Sequence, residues 1–215
     1  MIAAGWLVLL MLANPQAQRV RIVALGDSTT AGTPGFRSPA EAPPDGRGDR
    51  TSQYAYWLMQ VHPDWEVLNK GVNGERSDQI RARFERDVID ARPAVVVVIA
   101  GVNDVYQGRP AAHVIEQLRW MFERARAGGI RVVAGTIVPF NTATPDQNAR
   151  MRDVNDWIRR QAGSTGIVVA DTRAAVAAPG MPDILSETAD QLHPTAGGYR
   201  AMAEAIRPAI EQSLR

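Results

Sequence analysis

A run of five β-branched residues constrains the fold of this chain more than any other feature of its sequence. Residues 95–99 read Val-Val-Val-Val-Ile, with no alternation of apolar and polar side chains. A strand with one face in water alternates, whereas a strand that is covered on both faces does not. We therefore predict that this segment is a central strand of a parallel sheet, with helices on both sides.

Further apolar runs of strand length recur along the chain, and amphipathic helical patterns separate them. The five runs are Val20–Leu25, Trp65–Leu68, Ala94–Ala100, Ile130–Ile137 and Ile167–Ala170. The intervening helical repeats are Ile80, Phe84, Val88; Val114, Ile115, Leu118, Met121, Phe122, Ala125; Met151, Val154, Ile158; and Tyr199, Met202, Ala203, Ile206, Ile210. Strands that alternate with helices predict βαβ units and the α/β class.

Length, charge and cysteine content narrow the possible classes of protein. The chain has 215 residues, 45% of them hydrophobic, which is enough for one core, and we predict a single domain over residues 18–215. A net charge of +1 gives no electrostatic case for a nucleic-acid partner. The absence of cysteine excludes disulfides, thiolate metal sites and a cysteine nucleophile. The sequence carries no prediction of the oligomeric state.

Residues 1–17 differ in composition from the rest of the chain. Gly5–Ala13 is continuously apolar, which suits a signal-peptide core and is too short to span a membrane. Met1–Ala4 carries no basic side chain, however, and neither Ala13 nor Ala17 completes a typical cleavage site. We predict a secreted or periplasmic protein whose mature domain does not insert stably into a membrane. A packed N-terminal helix of a cytoplasmic protein and an uncleaved anchor are the alternatives.

Polar residues follow several of the predicted strands, at the point where each strand ends. Ser28 follows the first strand, Gly74 the second and Asn103 the third, and both Asp190 and His193 follow the fifth. Ligands of open α/β sheets bind beyond the carboxyl ends of the strands. We therefore expect these residues, distant in sequence, to meet at one edge of the sheet.

The chemistry of these residues is complementary. A serine hydroxyl is a weak nucleophile until a base removes its proton, and His193 is a suitable base for Ser28. Asp190, three residues earlier, is placed to hold the other ring nitrogen of His193. Attack on an ester creates an oxyanion that needs preorganised donors, and the backbone N–H groups of Ser28 and Gly74 and the Asn103 amide are candidates. The sequence thus predicts a catalytic triad and an oxyanion hole.

The other two histidines serve as checks on this hypothesis. His62 precedes the second strand and His113 has no acid at a matching spacing, so we expect both to be surface residues.

The segment Gly32–Arg50 contains four prolines and four glycines without periodicity. A loop of this length in a compact domain is commonly functional, and we interpret it as a candidate wall or lid for the substrate.

Two other classes of function are compatible with parts of the pattern. Four residues could gather round a divalent metal for phosphoester hydrolysis: Asp27, Asp104, Asp190 and His193. That hypothesis gives no role to Ser28 or Gly74, and Asp27 and Asp104 are more simply explained as acceptors of loop backbone hydrogen bonds. A non-catalytic module could bind an anion at the turn of residues 26–28, which leaves the Asp190–His193 pair unexplained.

The polar motifs together resemble those of the SGNH, or GDSL-type, serine hydrolases. Gly26-Asp27-Ser28 matches the motif that carries the nucleophile in that family. The segment 69–74 matches the block whose glycine, here Gly74, donates to the oxyanion, and residues 101–104 match the Gly-x-Asn-Asp block whose asparagine, here Asn103, does so. Residues 190–193 match the Asp-x-x-His block. The order and spacing cover residues 20 to about 205.

The resemblance implies a fold and an activity. The fold is a flavodoxin-like three-layer α/β/α sandwich with a five-stranded parallel sheet in the order 2-1-3-4-5. The activity is hydrolysis of acyl esters without a metal or other cofactor, and the family's substrates include carbohydrate acetyl esters, simple short-chain esters, lysophospholipids and thioesters. The modest aromatic content of 6% favours short-chain acyl esters, of the carbohydrate acetyl or small lipid type, with lysophospholipids and thioesters as alternatives. The chain departs from the family pattern at Thr29, at Gln191, where glycine is common, and in the length of Gly32–Arg50.

Overall fold

Five parallel strands form the central sheet of the computed structural model, which describes residues 19–163 and 165–215. The strands are β1 (Val20–Gly26), β4 (Trp65–Gly71), β5 (Val95–Ile99), β6 (Arg131–Gly135) and β7 (Val168–Ala170). Their order is β4-β1-β5-β6-β7, and every neighbouring pair is parallel. Counted along the five predicted strands this is the order 2-1-3-4-5, so the predicted fold is confirmed.

Helices cover both faces of this sheet. They are α1 (Ser28–Ala31), α2 (Tyr54–Val61), α3 (Ser77–Ala82), α4 (Val102–Tyr106), α5 (Ala111–Ala127), α6 (Pro145–Gln161), α7 (Thr172–Val176) and α8 (Ala196–Ser213). Two small antiparallel hairpins pair β2 (Phe36–Arg37) with β3 (Arg47–Gly48), and β8 (Ala177–Ala178) with β9 (Met181–Leu185). In the part of the chain that the structure describes, no helix is long and apolar enough to cross a membrane.

The core is divided by the sheet into two apolar layers. Strand β5 is buried along its whole length, and its successive side chains point to opposite faces. Val96 and Val98 pack with α3, α5 and α6, whereas Val95 and Val97 pack with α2 and α8. The absence of alternation at residues 95–99 therefore has the predicted cause, since each face of the strand is covered by helices.

Helix α6 shows how a local signal sets the start of an element. Thr144 Oγ1 accepts a hydrogen bond from the Gln147 N–H at 3.2 Å, and the Gln147 side chain accepts one from the Thr144 N–H at 2.9 Å. Pro145 occupies the first helical position, where its missing N–H costs nothing. This reciprocal capping satisfies two backbone donors and begins α6 at Pro145.

The predicted helix from Ile80 to Val88 is divided in the structure. Helix α3 ends at Ala82, and a π-helical turn spans Glu85–Ile89. Ile80, Phe84 and Val88 are nevertheless fully buried. The apolar spacing thus identified the inward side of this segment but not the change in its backbone hydrogen bonding.

Candidate active site

A sharp turn at the carboxyl end of β1 places Ser28. The strand ends at Gly26, and Asp27 caps α1 by accepting a hydrogen bond from the Thr29 N–H to Oδ1 at 3.0 Å. Ser28 is the first residue of α1, with only 3% of its surface exposed. Its hydroxyl is thereby held at the edge of the sheet where strands β1, β4 and β5 end together.

His193 links Ser28 to Asp190 by two hydrogen bonds. Its Nε2 lies 2.9 Å from Ser28 Oγ, and its Nδ1 lies 2.7 Å from Asp190 Oδ2. In the neutral imidazole the carboxylate accepts a hydrogen bond from Nδ1–H, which leaves Nε2 as the nitrogen that can receive the hydroxyl proton. The structure thus brings together three residues that the sequence separates by up to 165 positions, in an order that would move a proton from Ser28 to the imidazole.

The Asp190 carboxylate is held ionised by its own loop. Burial alone would raise its pKa, but hydrogen bonds from the His193 ring and from the backbone N–H groups of His193 and Leu192 outweigh burial. The result is an Asp190 pKa of about 2. The side chain is therefore negatively charged at every pH at which an imidazole would act as a base.

The departure at Gln191 has a structural consequence. This residue has φ of 65°, in the left-handed region that glycine adopts without strain. Its carbonyl accepts a hydrogen bond from the Asn141 N–H at 2.7 Å, which fixes the loop between the acid and the histidine. Glutamine at this position keeps the backbone conformation for which a glycine is better suited.

The three predicted oxyanion donors lie on segments that the sheet brings side by side. Gly26 and Gly71 are register partners, and the Val72 N–H donates to the Gly26 carbonyl at 3.1 Å. Gly74, with φ of 76°, lies in the turn that follows. Within residues 19–163 and 165–215, no hydrogen-bond acceptor contacts the backbone N–H of Ser28 or of Gly74. Both donors are therefore free to bind a ligand.

The Asn103 amide is positioned by the same turn. One of its N–H groups donates to the Glu75 carbonyl at 3.0 Å, and an amide carries a second hydrogen for another acceptor. Asn103 lies in the first turn of α4, directly after the end of β5. The hydrogen bond to Glu75 fixes the asparagine to the segment that carries Gly74, so the two candidate donors are positioned together.

Arg83 is a buried residue near this edge that the sequence analysis missed. Its guanidinium donates to the carbonyls of Gly26 at 2.9 Å and Lys70 at 2.8 Å, which lie near the ends of β1 and β4. It also contacts the carboxylates of Glu75 at 2.6 Å and Asp87 at 2.7 Å. In the sequence, the only local signal of this set of contacts was Asp87, an acid four residues after Arg83. Arg83 ties the strand that leads to Ser28 to the turn that carries Gly74.

The structure gathers a different group of potential metal ligands from the one considered above. In the described part of the chain, one group of three acidic or histidine side chains places its potential metal-binding atoms within 4.8 Å of one another. Its members are Asp78, Asp104 and His113. Both Asp78 oxygens already accept hydrogen bonds from Arg76, at 3.1 and 3.3 Å. Asp104 accepts hydrogen bonds from the backbone N–H and hydroxyl of Ser77, as expected for an acid that fixes a loop.

The environments of the other two histidines differ from the prediction. His113 was expected at the surface without an acid, but its Nε2 is buried and lies 3.7 Å from Asp104 Oδ1. His62 is half-buried, stacks on Trp65 at 3.9 Å and lies 3.0 Å from Glu211. Sequence spacing failed at His113 because Asp104 lies nine residues earlier, on the preceding helix α4, and not one turn away on α5 itself. Neither histidine contacts Ser28.

The chain is similar in sequence and in fold to known proteins. The sequence profile of the GDSL-like lipase/acylhydrolase family matches residues 24–201. An acetylxylan esterase from Geobacillus stearothermophilus is 27% identical, over 86% of this chain and 91% of the relative. The esterase TesA of Pseudomonas aeruginosa is 28% identical, over 62% of this chain and 61% of the relative. The crystal structure of a GDSL-like lipase from Bacteroides thetaiotaomicron superposes with a TM-score of 0.74 and 25% identity, over 94% of this chain and 93% of that one.

Proposed function

The chain belongs to the GDSL-like lipase/acylhydrolase family and is a carboxylic ester hydrolase, and from this premise we propose that it cleaves short-chain acyl esters through an acyl-enzyme on Ser28. The observation that carries the proposal is the hydrogen-bond chain from Asp190 through His193 to Ser28 Oγ. Such a chain supplies a base, an orienting acid and a nucleophile in contact.

The proposed reaction has two halves. His193 Nε2 takes the Ser28 proton as Oγ attacks the acyl carbon, and the Ser28 and Gly74 N–H groups and the Asn103 amide bind the oxyanion. The protonated His193 then gives its proton to the departing alcohol. In the second half His193 removes a proton from water, which attacks the acyl carbon and releases the acid and free Ser28.

The proposed natural substrates are acetyl esters of carbohydrates or other short acyl esters. Support comes from the acetylxylan esterase, which aligns with this chain over most of both proteins. Lysophospholipids and thioesters are the alternative substrates within the same chemistry. We propose that Gly32–Arg50 contributes to the choice among these substrates, because this loop begins directly after α1, the helix that carries Ser28, and leads to α2 beside β4. Its hairpin borders a cavity of about 590 Å³ that is also lined by Lys70.

The test of the mechanism uses Ser28→Ala and a chelator. We expect the purified protein to hydrolyse p-nitrophenyl acetate, and Ser28→Ala to lose at least about 10³-fold in kcat because the nucleophile is gone. An organophosphate should inactivate the wild type by covalent attachment to Ser28. EDTA should leave the rate unchanged. A rate that EDTA abolishes and added metal restores would instead support the phosphoesterase-type alternative, and the absence of any ester turnover would support a binding module.

The test of substrate class is a comparison of kcat/KM between esters. A series of p-nitrophenyl esters from acetate to palmitate, together with acetylated xylan, a lysophospholipid and an acyl thioester, separates the alternatives. We expect kcat/KM to fall as the acyl chain lengthens and acetylated xylan to be deacetylated. A maximum at long acyl chains would favour the lysophospholipase alternative.

We also propose that the protein is exported and that residues 1–17 are its signal. These residues lie outside those that the structure describes, so the proposal rests on their composition. Mass spectrometry of the protein recovered from a secreting bacterial host would locate its mature N-terminus. Cleavage after Ala13 or Ala17 is expected, and a full-length product in the cytoplasm would contradict the proposal.

A further inference from the structure

The loop Gly32–Arg50 is folded on itself rather than extended over the site. Strands β2 and β3 pair at its base, and the segment between them begins with Ser38, whose carbonyl accepts the N–H groups of Glu41 at 3.0 Å and Ala42 at 2.8 Å. The Gly46 N–H then donates to the Ala42 carbonyl at 2.8 Å. These bonds give the tip of the loop a defined shape and fix the position of Glu41.

Two side chains of this loop hold the turn that precedes Gly74. Ser38 is completely buried and donates its hydroxyl hydrogen to the Gly71 carbonyl at 2.5 Å. The Glu41 carboxylate accepts a hydrogen bond from the Asn73 backbone N–H at 3.1 Å. The contacts fall three residues and one residue before Gly74, on the same stretch of backbone.

The other hydrogen bonds of this turn are made by its two ends. Asn73 and Gly74 are both exposed; the Glu75 N–H donates to the Val72 carbonyl at 3.4 Å, and Asn103 and Arg83 donate to Glu75. Glycine, the residue at position 74, has more backbone freedom than any other residue type. Within the described residues, the Glu41 contact is therefore the side-chain restraint on Asn73, the residue directly before Gly74.

We propose that Glu41 is a positioning residue for the oxyanion hole: by holding the Asn73 N–H it fixes the Val72–Asn73 peptide unit, which directly precedes the unit that carries the Gly74 N–H, and so limits the directions that this N–H can take. The inference rests on the proposed function, since it assumes that Gly74 donates to the oxyanion. Donors stabilise a transition state only when they already point at the developing charge. The long loop thus acts as a brace for the oxyanion turn.

The role requires an acceptor atom at Glu41 and not a negative charge. The second carboxylate oxygen, Oε2, is buried without a hydrogen-bond partner in the described residues, and a charge near the oxyanion would oppose catalysis. Glutamine keeps the acceptor Oε1 and removes the charge. Glu41→Gln should therefore preserve the brace, whereas Glu41→Ala removes it.

The experiment compares Glu41→Ala and Glu41→Gln with a control outside the loop. Glu123 is exposed on α5 and makes no hydrogen bond or ion pair within the described residues, so Glu123→Ala is the matched loss of a glutamate carboxylate. For p-nitrophenyl acetate we expect Glu41→Ala to lower kcat on the order of tenfold with little change in KM, because the defect is confined to the transition state. Glu41→Gln and Glu123→Ala should stay within about twofold of the wild type.

A transition-state analogue provides the readout that a merely structural role would not change. The affinity for a trifluoromethyl ketone, which forms an oxyanion on the serine, should fall in Glu41→Ala by the same factor as kcat. The acid limb of the pH profile should stay in place, because the His193–Asp190 pair is untouched. Far-UV circular dichroism checks that each variant is folded.

Three outcomes would overturn the proposal. They are a Glu41→Ala kcat within twofold of the wild type, an equal loss in Glu41→Gln, and an equal loss in Glu123→Ala. None of these depends on whether the enzyme uses Ser28, which Ser28→Ala tests separately. A failure of the brace is thus distinguishable from a failure of the proposed mechanism.

Discussion

Asp27 is a buried carboxyl group beside the nucleophile with no step in the proposed reaction. Burial, reinforced by the charge of Asp104, raises its pKa to about 7, although hydrogen bonds from Thr29 act in the opposite direction. Its Oδ2 is buried without a hydrogen-bond partner in the described part of the chain. A carboxyl group that holds a proton in the folded state and releases it in the unfolded state makes stability depend on pH.

Replacing Asp27 by asparagine should remove this dependence. Between about pH 4 and pH 7 the native state of the wild type retains a proton that the unfolded chain has lost, so its stability falls as the pH rises through this window and then levels off. Asp27→Asn should therefore be more stable than the wild type above pH 7, by at most about 4 kcal/mol, with the advantage disappearing near pH 4. Urea unfolding at several pH values measures the difference.

The exposed Asp45 provides the control for this measurement. Asp45→Asn changes the net charge by the same amount without altering a buried group, and its stability relative to the wild type should be nearly independent of pH. If Asp27→Asn shows a constant difference from pH 4 to pH 9, Asp27 is ionised in the native state and the proposed cause is wrong.

At the scale of elements, the close approach of α1 to β4 depends on Gly71. A Cβ atom at this position would lie 2.1 Å from the Ala31 nitrogen and 2.6 Å from the Thr30 carbonyl carbon, both in the backbone of α1. Backbone atoms cannot rotate away as a side chain does, so Gly71→Ala must displace the short helix that carries Ser28. We expect a loss of about 1–3 kcal/mol in the free energy of unfolding. We also expect a decrease in kcat of more than about tenfold, because the nucleophile moves.

Gly197→Ala tests whether this effect belongs to the contact or to the loss of a glycine. Gly197 lies in the first turn of α8, and an added Cβ would meet its nearest neighbours at 3.6 and 3.7 Å. Alanine is favoured over glycine in helices by up to about 1 kcal/mol, so this variant should be as stable as the wild type or more so, with unchanged kcat. Equal kcat values for Gly71→Ala and the wild type would show that α1 tolerates the displacement.

The type of each element was predictable where the local sequence is distinctive, as in the runs 20–25 and 95–99, which are largely apolar and of strand length. A continuous apolar stretch predicts a strand, and capping residues such as Thr144 predict a helix start. The π-helical turn at Glu85–Ile89 was not predictable, because the buried spacing of Ile80, Phe84 and Val88 suits an ordinary helix equally well. The spacing of apolar residues shows which side of a helical segment is buried. It does not show whether the backbone hydrogen bonds are those of an α-helix or of a π-helix.

At the scale of the whole molecule, the sheet topology made the meeting of Ser28 with His193 predictable. Parallel strands end at one edge, so residues after different strands converge whatever their separation in sequence. The contact of Glu41 with Asn73 was not predictable, since it joins an aperiodic loop to a turn through one side chain. The contact of His113 with Asp104 was missed because it joins two successive helices, α5 and α4, whose packing angle no spacing within one helix reports. The catalytic roles of Ser28, Gly74, Asn103, Asp190 and His193 stay predictions until the variants are measured.

The shared sheet also determines how the molecule should unfold. Neighbouring residues of β5 pack in opposite apolar layers. Neither layer can therefore keep its packing once the strands of the sheet come apart. We predict one cooperative unfolding transition in urea, with coincident changes in tryptophan fluorescence, far-UV circular dichroism and esterase activity. Trp157 in one layer and Trp65 in the other make fluorescence sensitive to both.

Paired core substitutions test the energetic independence of the two layers within that single transition. Ile80 and Ile206 are completely buried on opposite faces of the sheet and belong to different clusters. Ile80→Val and Ile206→Val should each lower the free energy of unfolding by about 0.5–1.5 kcal/mol, because each removes one buried methylene group. The double variant should lose the sum of the two within about 0.5 kcal/mol, since the sites share no packing partner. Two separate transitions, or a double variant that departs from the sum by more than this, would show that the layers unfold separately or communicate through the sheet.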